Sequence, residues 1–383
     1  MDLVYLDNNA TTKPAPEVVE AMLPYLTEWY GNPSSVHRFG QRSRQALEEA
    51  RSQVARLVGC SEAEILFTGG GTESVNTAVR GLLAARQPRR KVITSTVEHS
   101  AGRELCAQLE KEGAEVVAIE VDEGGTLDLD QLREALRGDD VALVSIMWAN
   151  NETGVLSPVA EIAAMCRERR VPFHCDGTQA VGKVPVDVTG LGIDAMSFAG
   201  HKFHGPKGAA GLLLRRGLRH RPLLYGGPQE RGRRGGTENV PGIVGMGKAA
   251  ELALEAIPHV HREEKLRDRL EQGILDAIPD TRVNGRTDAR LPNTTNIGFY
   301  QLEAEAILLL LSEQGICASA GAACSSGSLE PSPVLRAMKI DDRYAHGAVR
   351  FSLSRYTTEA EVDRALAVLP GVIGRLRAVL PVA

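Results

Sequence analysis

Between residues 60 and 215 the sequence alternates short β-rich apolar runs with helical patterns, and this alternation limits the possible folds more than any other feature. The runs are EILFT (64–68), KVITS (91–95), EVVAIEV (115–121), VALVSIMWA (141–149), PFHCD (172–176) and AMSFAG (195–200). Each is short and nearly continuously apolar, the pattern of a strand buried on both faces. Helical candidates lie between them: Thr72 to Ala85, Arg103 to Glu112, Asp130 to Leu136 and Val159 to Arg169. An α/β architecture with a mostly parallel central sheet is therefore predicted. Such sheets bind ligands at the carboxyl ends of their strands, so the residues just after each run are the first to search for chemistry.

Beyond the glycine-rich stretch 226–236, apolar residues recur at Ile243, Met246, Ala250, Leu254 and Ile257, then at Leu266, Leu270, Ile274 and Ile278. These are helical spacings broken by Pro258. A smaller α+β domain is expected there. With 383 residues, 43% of them apolar, the chain can bury more than one core. The expected division is a large domain over 15–257, and a small one formed by 1–14 with 258–383. No apolar run approaches the roughly 18 to 20 residues needed to cross a bilayer, and MDLVYLDNNATT has no signal-peptide pattern, so a cytoplasmic location and no membrane contact are expected. A net charge of −5 with mixed signs gives no nucleic-acid footprint, although 215–221 and 231–234 form two local basic clusters. The six cysteines include no CxxC pair, so neither a disulfide framework nor a zinc site is indicated. Cys60, Cys106, Cys166, Cys175 and Cys317 are read as small buried hydrophobes.

Four features fall at ends of predicted strands. Gly69 to Ser74 (GGGTES) follows EILFT and opens a helix, where backbone N–H groups and the helix dipole favour an anion such as phosphate. Alone the signal is weak, since an ordinary glycine-rich turn with Thr72 as an N-cap has the same pattern. Asp176 closes PFHCD, and Gln179 follows; a carboxylate there can pair with a protonated pyridine nitrogen. Lys202, in AGHKFHGPKG, is suited to a Schiff base if its amine is deprotonated. His99, after KVITSTVE, can lie over a planar ring and relay protons near neutral pH. Anion loop, histidine, acid and lysine at successive strand ends point to pyridoxal 5'-phosphate.

On these residues the chain resembles the class V aminotransferase family of fold type I pyridoxal-phosphate enzymes, and within it the cysteine desulfurases of the NifS/IscS type. The likeness is carried by LDNNATT (6–12), GNPSS (31–35), GGGTES (69–74), Glu98-His99, NNETG (150–154), HCDGTQ (174–179), HKFHGPKG (201–208), GGTEN (235–239), SAGAACSSGSLEPS (319–332) and VRFSLSR (349–355). It implies that Lys202 holds the cofactor and later takes the substrate's Cα proton. Asp176 is then the pyridine-nitrogen partner, Gln179 a donor to the ring hydroxyl and His99 the stacking residue and proton relay. Gly71, Thr72, His201 and Thr237 are implied phosphate ligands. In the family the GGTEN threonine comes from the neighbouring subunit, so a homodimer with shared active sites is implied. Asn8, Asn151 and Arg350 are implied to hold the substrate, and the Arg350 fork suits an α-carboxylate. One departure stands out: a serine often found just before the lysine is replaced by Ala199 and Gly200, with Ser197 the nearest upstream hydroxyl.

Cys324 lies in a run of Ala, Ser and Gly from 318 to 328, too small-chained to form a packed core, and a mobile loop over about 318–330 is expected. A thiol on such a loop can attack sulfur as thiolate and carry it away. The resemblance implies conversion of L-cysteine to L-alanine, with the sulfur held as a persulfide on Cys324. It would pass to a sulfur acceptor or iron-sulfur scaffold protein, with a transient contact between Cys324 and a cluster under assembly. A selenocysteine lyase or an aminotransferase on the same scaffold is the alternative; neither would require Cys324 for reaction with cysteine.

Overall fold

The computed structural model describes residues 3–320 and 330–379. Its strands are β1 (Val4–Tyr5), β2 (Ile65–Thr68), β3 (Lys91–Ser95), β4 (Glu115–Ile119), β5 (Val141–Met147), β6 (Phe173–Asp176), β7 (Ala195–Ala199), β8 (Ala210–Leu214), β9 (Thr281–Val283), β10 (Thr294–Phe299), β11 (Ile316–Cys317) and β12 (Ala348–Ser352). Seven of them form one sheet in the order β2-β8-β7-β6-β5-β3-β4. Neighbours are parallel except where β8 runs against β2 and β7. All six runs read from the sequence become strands of this sheet. The antiparallel β8 was not anticipated, because AGLLL follows a glycine-rich loop with no helical crossover ahead of it.

The helices α1 (Pro16–Thr27), α2 (Arg38–Val58), α3 (Gly71–Ala85), α4 (Ser100–Lys111), α5 (Leu129–Ala135) and α6 (Val159–Glu168) include the four expected between the strands. The sheet is covered on both faces. One apolar cluster combines Leu47, Val54 and Met246 with Ile93, Val144, Ile146 and Phe198, and another sets Val79 and Leu82 of α3 against Leu66, Val92, Leu143 and Leu212. Because successive strand residues face opposite ways, both alternate sets must be apolar, which is why these runs are nearly continuous. A polar rung crosses the sheet within that apolar interior. His174 contacts the Ser145 hydroxyl through Nδ1 and the Ser197 hydroxyl through Nε2, each at 2.8 Å.

A separate apolar cluster forms around the small sheet β12-β10-β9, with Leu266, Leu270 and Ile274 from helix His261–Ala277 and Val362, Ala365, Leu369 and Ile373 from helix Glu359–Val379. The first residues of the chain join it, since β1 pairs with β11 and places Val4 and Leu6 in this core. Residues 7–15 then run back to the large sheet. Thr12 donates through both N–H and hydroxyl to the His201 carbonyl, accepts from the His204 N–H at 2.7 Å, and Ala15 N–H donates to the His204 carbonyl. Among the described residues no helix is long and apolar enough to cross a membrane.

Two buried polar contacts generate stability predictions. Arg51 of α2 grips Glu230 bidentately at 2.8 and 2.9 Å, and the same carboxylate accepts from the Phe67 N–H, tying α2 and residue 230 to the edge strand β2. Both side chains are almost fully buried, and Glu230→Ala leaves Arg51 with only the half-exposed Glu48 and the Ile65 carbonyl, so it should cost about 3 kcal/mol. Equilibrium urea unfolding checks this. Burial, with help from Arg355, holds the His204 imidazole down at about 4. The unfolded chain therefore binds a proton near pH 6.5 that the folded chain refuses, and His204 contributes stability that is complete above that pH and declines by about 3 kcal/mol towards pH 4. The urea midpoint should fall between pH 6.5 and 4.5 less steeply in His204→Gln than in the wild type.

Candidate active site

The parallel strands of the large sheet end along one edge, and the segments leaving them enclose a cavity of about 200 Å³. Its wall is contributed strand by strand: Gly71 and Thr72 after β2, His99 after β3, Asn151 after β5, Asp176 and Gln179 at the end of β6, and His201 and Lys202 after β7. Eight residues read from the sequence as cofactor or substrate contacts thus converge from five strand ends.

Each is held by local structure. α3 begins directly after the turn with no side-chain cap at Gly70, so the N–H groups of its first turn are unclaimed by a cap where Gly71 and Thr72 line the cavity. The turn is braced by Glu73, which accepts from the Gly69 N–H and pairs with Arg234 at 2.8 Å. Much of the second basic cluster is thereby spent internally, Arg231 and Arg233 donating to the Ala63 carbonyl. His99 caps α4: its Nδ1 accepts from the Ala101 N–H at 3.1 Å, so the neutral ring carries its proton on Nε2. Burial lowers the His99 pKa; Asp176 opposes the shift and Lys202 adds to it, and both are close enough to be felt. Beside it, Glu98 is buried and accepts from Ser95 Oγ and the Met147 N–H, pinning the end of β3 to the end of β5, and burial pushes its carboxyl up to about 8. Asp176 is 7% exposed and accepts from the Thr178 N–H at 3.0 Å. Burial, followed by the charges of Lys202, Lys207 and Lys183, lowers His201 to about 4, so its ring is neutral at pH 7.

Lys202 Nζ donates to the carbonyl oxygens of Asn9 (2.6 Å) and Ala10 (2.8 Å). Gln179 Nε2 donates to the same Asn9 carbonyl. These N-terminal carbonyls were missed from the sequence, where LDNNATT drew attention to Asn8, because backbone acceptors carry no side-chain signature. Asn8 itself does not line the cavity: its amide donates to the carbonyls of Tyr5 and Ser352. Nor does Arg350, whose guanidinium is 2% exposed and committed to Asp7 at 2.6 Å and the Asn151 carbonyl at 2.8 Å; it touches the site through Asn151. Thr237 is exposed and off the wall of its own chain's cavity. Ser197 is turned into the sheet on His174, and among the described residues no serine lines the cavity in place of the hydroxyl absent at Ala199.

Of the five cysteines described, Cys106, Cys166 and Cys175 are buried, while Cys60 and Cys317 are only partly so, short of the full burial expected. Burial raises all five thiols, Cys106 to about 11 and Cys60 to about 12, leaving them poor nucleophiles. Cys324, with its expected persulfide and iron-sulfur contact, lies outside the described residues. The flanks of 321–329 are anchored beside the site: Ser319 exchanges backbone hydrogen bonds with Arg350, and Ser332 donates to Glu152, next to Asn151. Among the described residues no cluster of three or more His, Cys, Asp or Glu is arranged to hold a metal ion.

The donor set fits a flat, anionic, nitrogen-containing ring ligand: uncapped helix N–H groups at one end, a buried carboxylate, an imidazole and an amine. Asn151 Oδ1, on the cavity wall, is buried and has no hydrogen-bond partner among the described residues, a polar atom of the kind that a ligand satisfies.

The comparisons agree with this geometry. A family model described as Aminotransferase class-V matches residues 4–365. A protein of Trichormus variabilis named Cysteine desulfurase 2 is 56% identical over 381 residues, covering 100% of this chain and 96% of its own length. Cysteine desulfurase NifS of Azotobacter vinelandii is 54% identical over 380 residues, covering 99% and 94%. A solved structure titled NifS-like protein superposes with a TM-score of 0.92 at 38% identity, covering 98% of this chain and all of the other. The chain therefore belongs to the class V aminotransferase family and has its fold type I architecture.

Proposed function

We propose that this chain is a pyridoxal-phosphate-dependent cysteine desulfurase, which takes sulfur from L-cysteine, releases L-alanine and passes the sulfur to an acceptor protein for iron-sulfur cluster or other thio-cofactor synthesis. The observation that carries this reading is the convergence of Lys202, Asp176, Gln179, His99 and the uncapped start of α3 on one cavity. Bound there, pyridoxal phosphate supplies an electron sink for the bond-breaking at the substrate's Cα and Cβ.

The chain's own groups have separable tasks. Gly71, Thr72 and His201 hold the phosphate; at neutral pH the uncharged His201 ring serves as a hydrogen-bonding group without a charge. Asp176 keeps a proton on the ring nitrogen. Lys202 would anchor the cofactor and, with its amine free, would take the substrate's Cα proton, the Asn9 and Ala10 carbonyls lying within reach of that amine. The His99 Nε2 proton is available for transfer to and from the substrate. Cys324 thiolate attacks the substrate sulfur: the Cβ–S bond breaks, an S–S bond forms on Cys324, and Cβ takes up a proton. L-cysteine and one enzyme thiol become L-alanine and one enzyme persulfide, balanced in atoms and electrons. The raised pKa of the five other thiols supports Cys324 as acceptor. Thr237, exposed and off its own cavity, supports a homodimer in which the two copies complete each other's sites. A cytoplasmic site of action is part of the same reading.

The test uses the purified full chain loaded with pyridoxal phosphate. Wild type should release alanine and sulfide from cysteine in the presence of a thiol reductant. Lys202→Ala should lose the visible band of the lysine-bound cofactor. Cys324→Ala should keep that band and lose at least about 100-fold in alanine formation, as expected when a nucleophile is removed. Alanine formed at the wild-type rate by Cys324→Ala would favour a lyase or aminotransferase instead.

A further inference from the structure

Behind the cavity wall is a lysine to which the chemistry above gives no task. Lys183 is 7% exposed. It follows Gln179 by four residues on a tight turn, in which the Ala180 carbonyl accepts from the N–H groups of Lys183 and Val184, so both side chains project to the same side. Its Nζ donates to Gln179 Oε1 at 2.5 Å and to Asn9 Oδ1 at 2.8 Å. Both acceptors are neutral amide oxygens. Burial, with Lys202 and Arg350 nearby and only Glu263 opposing, pushes its pKa well below the usual lysine range. Charged or neutral, the amine still has N–H bonds to give to both oxygens.

Asn9 is equally constrained. Its N–H donates to Ser352 Oγ, its amide nitrogen to Thr294 Oγ1 and the Asn151 carbonyl, and its amide oxygen also accepts from Asn293. Its carbonyl faces Gln179 Nε2 at 3.0 Å. A glutamine amide can ordinarily present either end, since nitrogen and oxygen occupy nearly the same volume. Gln179 has no such freedom, because its oxygen meets a donor and its nitrogen meets a carbonyl. One N–H of that nitrogen is left over, on a side chain that lines the cavity.

We infer that Lys183 is a positioning residue: together with Asn9 it locks the Gln179 amide so that the cavity presents a hydrogen-bond donor there, which selects an ionised ring oxygen on the bound ligand. This rests on the reading of the cavity as a pyridoxal-phosphate site. Without the Lys183 donor, Gln179 Oε1 is left unpaired and the Asn9 carbonyl alone holds the amide, so the turned form, which offers an acceptor opposing the ionised oxygen, gains population.

The experiment compares wild type, Lys183→Met, Lys183→Gln, Gln179→Ala and the Lys183→Met/Gln179→Ala double variant, each loaded with pyridoxal phosphate. It reads the pH dependence of the visible absorption band and the cofactor dissociation constant. Lys183→Met should weaken cofactor binding about tenfold, the equivalent of one mispaired buried hydrogen bond, and shift the band's pH midpoint in the same direction as Gln179→Ala. The double variant should go no further than Gln179→Ala alone, and Lys183→Gln, which keeps N–H donors, should lie closer to wild type. A wild-type spectrum and affinity in Lys183→Met, or effects that add in the double variant, would overturn the inference while leaving the cofactor reading intact. A wild-type protein that takes up no cofactor would remove that reading and the inference with it. A measurement on the wild type decides the matter even if Lys183→Met does not fold. In protein labelled with 15N at glutamine, the side-chain amide signal missing from Gln179→Ala should have one slowly exchanging proton without cofactor, the one given to the Asn9 carbonyl, and two with cofactor bound; rapid exchange of both protons in the loaded protein refutes the lock.

Discussion

The structure depends on parallel strands ending together. Once β3, β5, β6 and β7 run the same way, each helical crossover returns the chain to the same starting edge, and each exit reaches the same finishing edge. Residues as distant in sequence as Gly71 and Lys202 become neighbours across one cavity for that reason. The apolar covering on both faces provides the energy for this arrangement. The exits, which cannot be buried as apolar surface, are where polar groups accumulate.

Desolvation then sets the chemistry. Burial keeps His99 and His201 neutral at pH 7, and raises Glu98 so that it titrates near neutrality while bracing two strand ends. The buried thiols are driven towards inertness by the same effect. The same loss of water thus raises the acids and lowers the bases, favouring the uncharged form of each.

The parts of the fold legible in the sequence were those with strong local signals. Continuous apolar runs bounded by turns located six strands, and the residues following them located most of the cavity wall. What local pattern could not supply was contact across long separations. β8 has strand-like residues but no crossover to announce its direction. The acceptors of Lys202 are backbone carbonyls of Asn9 and Ala10, nearly two hundred positions away and silent in a side-chain reading. Asn8 and Asn9 are adjacent and chemically identical; only the turn made by residues 8–10 decides that Asn8 serves Tyr5 and Ser352 while Asn9 serves Gln179 and Lys202. Arg350 was legible as a carboxylate partner by its chemistry, yet the carboxylate it holds in this structure belongs to Asp7.

The rung Ser145–His174–Ser197 has a further consequence. An imidazole flanked by two hydroxyls can be satisfied in one alignment of three adjacent strands, and a shift of β6 by a single residue would turn the ring to the opposite face and carry Asp176 with it, since both lie on one side of the strand. The rung therefore works as a molecular vernier, in which the position of a distant carboxylate is read off a polar mark inside the sheet. Loss of either hydroxyl would leave one imidazole nitrogen unpaired inside the sheet, and the slack would be felt at the strand's end.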